Sequence, residues 1–267
     1  MSARAMKKML ALAACLLVVL MACGGGSAPS TPSYQGTAGY ILQFGDDFKP
    51  GMNAVDDLGI SVVIAMDVSG SMRHAPRRGG EAKYIQATKA LSTVADYLET
   101  LSGRQKDLKI RVSILKFSTY VDVVLPLITL DADGSAKLNA VISPNNFAPS
   151  AETAIGKAME AGSKMLAQSG TIFNSLIVIT DGENNVSPDP REVMKAIYSN
   201  RNTATTEDFK VITSTQLVSF VGFDVQSSQF SEFHELGARI TSAHSQTEIE
   251  NGLQSFLEAD ITKLEGK

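Results

Sequence analysis

The chain of 267 residues contains no tryptophan and only two cysteines, Cys15 and Cys23, both within its first 23 positions. Everything downstream therefore lacks the thiols for an internal disulfide or a thiolate metal site. The three histidines, His74, His234 and His244, form no i, i+4 ligand pair and read as surface or core residues. Positive charge is also short: 24 Lys and Arg stand against 28 Asp and Glu, a formal net charge of −4. Phosphate contact needs a concentrated basic surface, so this balance argues against a nucleic-acid partner. One basic cluster, Arg73, His74, Arg77 and Arg78, lies in a single short loop and reads as solvated surface. Walker-type loops, G-x-G-x-x-G runs, Ser/His/Asp arrangements and internal repeats are all missing. With 44% hydrophobic and 19% charged residues, the remainder suits one globular α/β domain with a sizeable core.

Long apolar runs are scarce too, and the exception is at the start. Arg4, Lys7 and Lys8 precede an apolar stretch from Met9 to Ala22 that is short for a permanent bilayer span, the layout of a signal peptide over residues 1–22. It ends in Leu20-Met21-Ala22-Cys23 and continues with Gly24-Gly25-Gly26. This junction resembles the lipobox of bacterial lipoproteins, which implies cleavage before Cys23 and lipidation of its thiol. An ordinary secretory peptide or an uncleaved N-terminal anchor is the alternative. Several acyl chains, each methylene adding about 0.8 kcal/mol, would make the attachment effectively permanent. In lipoproteins an Asp directly after the Cys favours the inner membrane. Gly24 holds that position here, so the resemblance implies a cell-envelope protein, at the outer membrane if the host is Gram-negative.

Residues 23–57 read as the lipidated Cys and a linker. Gly24 to Ser33 is a Gly/Ser/Pro tether of ten residues, a coil of roughly 15 to 20 Å. A candidate added strand covers residues 38–44, around Tyr40-Ile41-Leu42. From there to residue 260, strand-like and helical patterns alternate, and 261–267 is a tail. Ile60 to Met66 is a near-continuous β-rich run, as for a strand buried on both faces. Glu81 to Leu101 has helical apolar spacing and a stop at Gly103. Leu108 to Phe117 is a strand, with Tyr120 to Ile128 as its antiparallel edge partner because of Pro126. Helices follow over Ser135 to Ile142 and Thr153 to Gln168, then a strand over Leu176 to Ile179. A helix over Arg191 to Ser199, a strand over Leu217 to Phe223, a helix over Phe230 to Leu236, a strand over Arg239 to Ser242 and a helix over Thr247 to Leu257 complete the pattern. The fold class is α/β: a Rossmann-like, doubly wound, mostly parallel sheet with one antiparallel edge strand and helices on both faces, spanning residues 58–260.

Ligands of such sheets collect at the carboxyl ends of the strands. The first strand runs into Asp67-Val68-Ser69-Gly70-Ser71-Met72, the strand over Leu176 to Ile179 into Thr180-Asp181-Gly182-Glu183, and the long middle helix opens at Glu152-Thr153. Asp67, Ser69 and Ser71 supply a carboxylate and two hydroxyls, and Asp181 adds a second carboxylate. An all-oxygen set without His or Cys suits a hard ion, Mg²⁺ before Zn²⁺, with Mn²⁺ or Ca²⁺ as further options. Each segment alone is an ordinary turn or helix start; their order and placement together carry the reading.

The segments DVSGSM, ETAIGKAM and ITDGE resemble the metal-ion-dependent adhesion site of von Willebrand factor type A (vWA) domains, over Ile60 to about Asp260. The resemblance implies that Ser69 and Ser71 ligate Mg²⁺ directly, that Thr153 joins when a partner binds, and that Asp67 and Asp181 act directly or through water. It further implies a protein partner that presents an Asp or Glu carboxylate to the ion's open position, and a binding role without enzymatic activity. The family pattern has Gly before the Thr, where this sequence has Ala151 and Glu152, a departure in the loop that could add the Glu152 carboxylate near the ion. A Mg²⁺-dependent phosphoryl hydrolase is the runner-up, but it needs an acid two positions after the first Asp, where Ser69 stands. A metal-stabilised structural scaffold is the third reading.

Overall fold

The computed structural model describes residues 57–105, 107–199 and 215–264. Cys23, the leader, the tether, the candidate strand over 38–44 and the last residues of the tail lie outside them. The strands are β1 (Asp57–Asp67), β2 (Lys109–Phe117), β3 (Val121–Thr129), β4 (Thr171–Thr180), β5 (Thr215–Phe223) and β6 (Arg239–Ala243). They form one sheet in the order β3-β2-β1-β4-β5-β6, antiparallel only between β2 and β3. The α-helices are α1 (Lys83–Arg104), α2 (Ala132–Val141), α3 (Ile155–Ala167), α4 (Pro190–Ser199), α5 (Ser231–Glu235) and α6 (Gln246–Leu264).

Alternation along β1 divides the interior in two. Ile60, Val62, Ile64 and Met66 point to one face, where α1 and α6 supply Leu91, Val94, Leu98, Leu253 and Leu257. Val63 and Ala65 point to the other, against Ile155, Met159, Val193 and Met194 of α3 and α4. Because β1 is covered on both sides, every position from Ile60 to Met66 is buried, including Ser61. At the edge, β3 carries Pro126 within a ladder irregularity, between the pairs Ile114–Leu125 and Val112–Ile128. A residue without an N–H is tolerated at such a place.

The structure extends several elements beyond their sequence patterns. The first helix starts at Lys83 rather than Glu81 and runs through Gly103 to Arg104. The strand expected over Leu176 to Ile179 begins at Thr171, because its polar residues bond to one another: Thr171 Oγ1 donates to Ser61 Oγ at 2.7 Å and Ser169 Oγ to Asn174 Oδ1 at 2.7 Å. The helix expected from Ser135 starts at Ala132, where the Asp131 carboxylate caps it by accepting from Gly134 N at 2.8 Å. Pro144 opens a 3₁₀ turn, Pro144–Phe147, beyond the end of that helix. The segment expected as a helix from Phe230 divides into a 3₁₀ turn, Ser227–Phe230, followed by the short α5.

Candidate metal site at the carboxyl ends of β1 and β4

Parallel pairing of β1 with β4 brings Asp67 and Asp181 to neighbouring strand ends. Past Asp67 the chain turns through a 3₁₀ segment, Gly70–Arg73, which folds the serines back over the strand end. Asp67 is fully buried. Its Oδ1 accepts the backbone N–H of Ser69 at 2.7 Å and its Oδ2 accepts the hydroxyl of Thr180 at 2.6 Å. Burial pushes the carboxyl up to about 6, against the lowering by the Thr180 and Ser69 hydrogen bonds and with a further small rise from the neighbouring Asp181. A carboxylate placed this way costs free energy until a cation reaches it.

The hydroxyls of Ser69 and Ser71 lie 3.0 Å apart, and Ser71 donates to Asp181 Oδ1 at 2.7 Å. Ser69 is buried while Ser71 is exposed, so the cluster opens to solvent on the Ser71 side. The second oxygen of Asp181 is buried and receives no hydrogen bond among the described residues. Lys83 Nζ stands 2.5 Å from it. That contact is an ion pair by distance but outside hydrogen-bond geometry, so the charge is matched while the directed bond is not made.

Thr153 enters from the loop before α3. Two backbone bonds stitch this loop to the first one: Ser150 N–H donates to Val68 O at 2.6 Å and Gly70 N–H to Ala151 O at 3.0 Å. A reciprocal pair ties it to the third segment, with Thr153 N–H donating to Asn185 Oδ1 at 2.7 Å and Asn185 N–H to Thr153 O at 2.9 Å. Asn184 Oδ1 accepts the Gly156 N–H at 3.2 Å. The helix expected from Thr153 begins at Ile155 with Ala154 at its N-cap, so the Thr153 hydroxyl is not spent on capping and has no hydrogen-bond partner among the described residues. Ala151 takes a left-handed backbone conformation, φ 50°.

The structure thus joins Asp67, Ser69, Ser71 and Asp181 in one hydrogen-bonded cluster and fixes Thr153 beside it through the backbone. Glu152 makes its side-chain contact elsewhere than with these four side chains. Its side chain is exposed and lies 3.4 Å from Thr119 Oγ1 on the β2–β3 connection, because the left-handed turn at Ala151 sends it towards that hairpin. Three residues that contact the cluster or its loops have no role in the sequence reading: Thr180, Lys83 and Asn185. The visible signals were a lysine at the first position of a helix whose first turn has no acid, and an Asn-Asn pair directly after the third segment.

Residues 61–255 match the family model of the von Willebrand factor type A domain. The chain belongs to that family. None of the curated proteins matches it. Among solved structures, its vWA fold is similar to the PilB minor pilin from Streptococcus sanguinis (TM-score 0.59, 14% identity), over 78% of this chain and 62% of the pilin. It is also similar to the pilus adhesin SpaC from Lactobacillus rhamnosus GG (TM-score 0.57, 14% identity), over 77% of this chain and 31% of the adhesin. A third similar fold is BatB from Bacteroides thetaiotaomicron (TM-score 0.53, 20% identity), over 78% of this chain and all of that one. The chain therefore spans less than two thirds of the pilin and adhesin.

Among the described residues no three His, Cys, Asp or Glu side chains converge. What gathers at these strand ends of the vWA domain is instead two carboxylates and two serine hydroxyls, with the Thr153 loop beside them. Hard oxygen donors of low total charge, with a buried Asp67 and an Asp181 oxygen that receives no directed hydrogen bond, fit a small divalent ion that keeps part of its water shell.

Proposed function

We propose that this domain binds a partner protein through a divalent cation, Mg²⁺ first and Mn²⁺ or Ca²⁺ as substitutes, held by Ser69 and Ser71 with Asp67 and Asp181 behind them. The observation that carries the reading is the Asp67–Ser69–Ser71–Asp181 cluster, buried at Asp67, Ser69 and Asp181 and open to solvent at Ser71. Bound there, the ion supplies a Lewis-acidic position that an external carboxylate can fill. Asp67, anchored by Thr180 and the Ser69 N–H, neutralises charge from below. The serine hydroxyls contribute no charge, which favours an Asp or Glu from the partner. Thr153, with a free hydroxyl on a loop tied to both neighbours, is the residue available to join when the partner docks.

The role is adhesion or complex assembly, without catalysis. A minor pilin and a pilus adhesin have a similar fold, which supports this by analogy only. We further propose that Cys23 carries a lipid anchor that holds the chain in the cell envelope, at the outer membrane in a Gram-negative host. The test is capture from an envelope extract with the purified full chain in Mg²⁺ and in EDTA. A specific partner retained in Mg²⁺ and lost in EDTA is expected, and Thr153→Ala should weaken its capture more than it weakens metal binding. Capture that persists in EDTA sinks the metal-bridged mechanism. Cys23→Ser should release the chain from membranes.

A further inference from the structure

A metal site built only to receive a divalent ion has no use for a lysine inside it. Lys83 is nevertheless there: its side chain is buried, and Nζ stands 2.5 Å from Asp181 Oδ2, itself fully buried. Its position is disfavoured locally. Lys83 opens α1, whose N-cap Ala82 offers no side-chain cap and whose first turn holds no acid, so the ammonium begins at the positive end of the helix dipole. Asp181 is the group that compensates. Delivery is also fixed, because Lys83 N–H donates to His74 O at 3.0 Å and His74 N–H to Ser71 O at 3.1 Å. The backbone that carries the lysine is thus tied to the same turn that carries the two serines.

From this geometry we infer that Lys83 is a tethered cation at the site, and that a divalent ion enters by exchange with its ammonium. The inference rests on the metal-site reading above. Without metal, Lys83 offsets the charge of Asp181 and keeps the loops assembled. With metal, the ammonium would lie within a few ångströms of a divalent charge, so it must swing away from Asp181, and the four-carbon stem allows that. Lys83 therefore sets the metal affinity. Removing its charge leaves a more negative, unpaired site that binds metal more tightly and is less stable empty.

The experiment is Mn²⁺ titration calorimetry on the purified full chain in detergent, as wild type, Lys83→Gln and Lys83→Arg, with melting curves in EDTA. Lys83→Gln is expected to bind Mn²⁺ at least about tenfold more tightly and to melt below wild type in EDTA, while Lys83→Arg stays near wild type. Binding seen only in Lys83→Gln would support the exchange in its strongest form. Equal or weaker Mn²⁺ affinity in Lys83→Gln overturns the exchange and leaves the metal site standing. Failure of all three proteins to bind Mn²⁺ overturns both. If Lys83→Gln does not fold without metal, Lys83→Met, which preserves the stem, is prepared in Mn²⁺ and its Mn²⁺ release followed by chelator titration; release at the wild-type chelator concentration then overturns the exchange.

Discussion

Thr180 donates its hydroxyl proton to Asp67 Oδ2 at 2.6 Å, so the last residue of β4 holds the last residue of β1. The next residue, Asp181, accepts from Ser71. One strand end thereby positions both carboxylates of the cluster.

Replacement of Asp67 separates stability from metal binding. Asp67→Asn keeps an acceptor for the Ser69 N–H and removes a charge that is costly to bury, while Thr180, whose Oγ1 also lies 3.4 Å from Gly182 O, can turn its proton there and accept from the new amide. The metal-free variant should be more stable than wild type at pH 8, by about 2 kcal/mol. Mg²⁺ should no longer raise its Tm. Melting curves with EDTA and with Mg²⁺ check both halves, and a wild-type Mg²⁺ shift in the variant would remove Asp67 from the site.

The pH dependence follows from the same carboxyl. In the fold it titrates at about 6, above its ordinary value of 3.8. The folded state therefore holds the proton more tightly than the unfolded chain. Its contribution to stability is fully present below pH 3.8 and is lost as pH rises through about 6. Metal binds the ionised form, so stabilisation by Mg²⁺ should grow over the same window. The difference in Tm between wild type and Asp67→Asn, followed from pH 4 to pH 8 in EDTA and in Mg²⁺, isolates this group from others that titrate.

Ala151 pays for its left-handed conformation, φ 50°, in order to present its carbonyl to Gly70. Ala151→Gly relieves a Cβ clash of about 1 kcal/mol and loses part of that gain to the freer unfolded chain. The expected result is a small rise in denaturation midpoint with unchanged metal affinity. A fall in midpoint would show that the turn is not strained.

Gly156 has the opposite requirement. A Cβ there would meet Pro188 O at 2.1 Å, so the start of α3 is pressed against the segment that follows Asn185. Gly156→Ala should cost about 1–3 kcal/mol and weaken metal binding, because it pushes apart the segments that Thr153 and Asn185 join. Urea unfolding and calorimetry measure the two effects.

The sheet was legible because β1 and its neighbours are apolar on both faces, and a strand of that kind announces itself as a continuous run. The first five residues of β4 were not. Thr171, Asn174 and Ser175 look like loop chemistry until Ser61 and Ser169 are placed beside them by the fold. At the cluster, Asp67, Ser69, Ser71 and Asp181 could be singled out because Asp67 ends β1 and the others lie just past a strand end. Thr180, Lys83 and Asn185 act across more than thirty residues of sequence, so only the fold brings their partners into view. The contact of Glu152 with Thr119 was not legible either, because its direction depends on one backbone angle, at Ala151.

β1 has 11 residues, and at about 3.3 Å per residue they separate Asp57 from Asp67 by roughly 30 Å. α6 starts after β6 at the end of the sheet that carries the site and returns over 19 residues to Leu264. The described domain thus begins and finishes at one pole and carries its candidate ion at the other. Chain continued from either described end would leave from the pole opposite the cluster, and a load applied between the cluster and Asp57 would run lengthwise along the central strand.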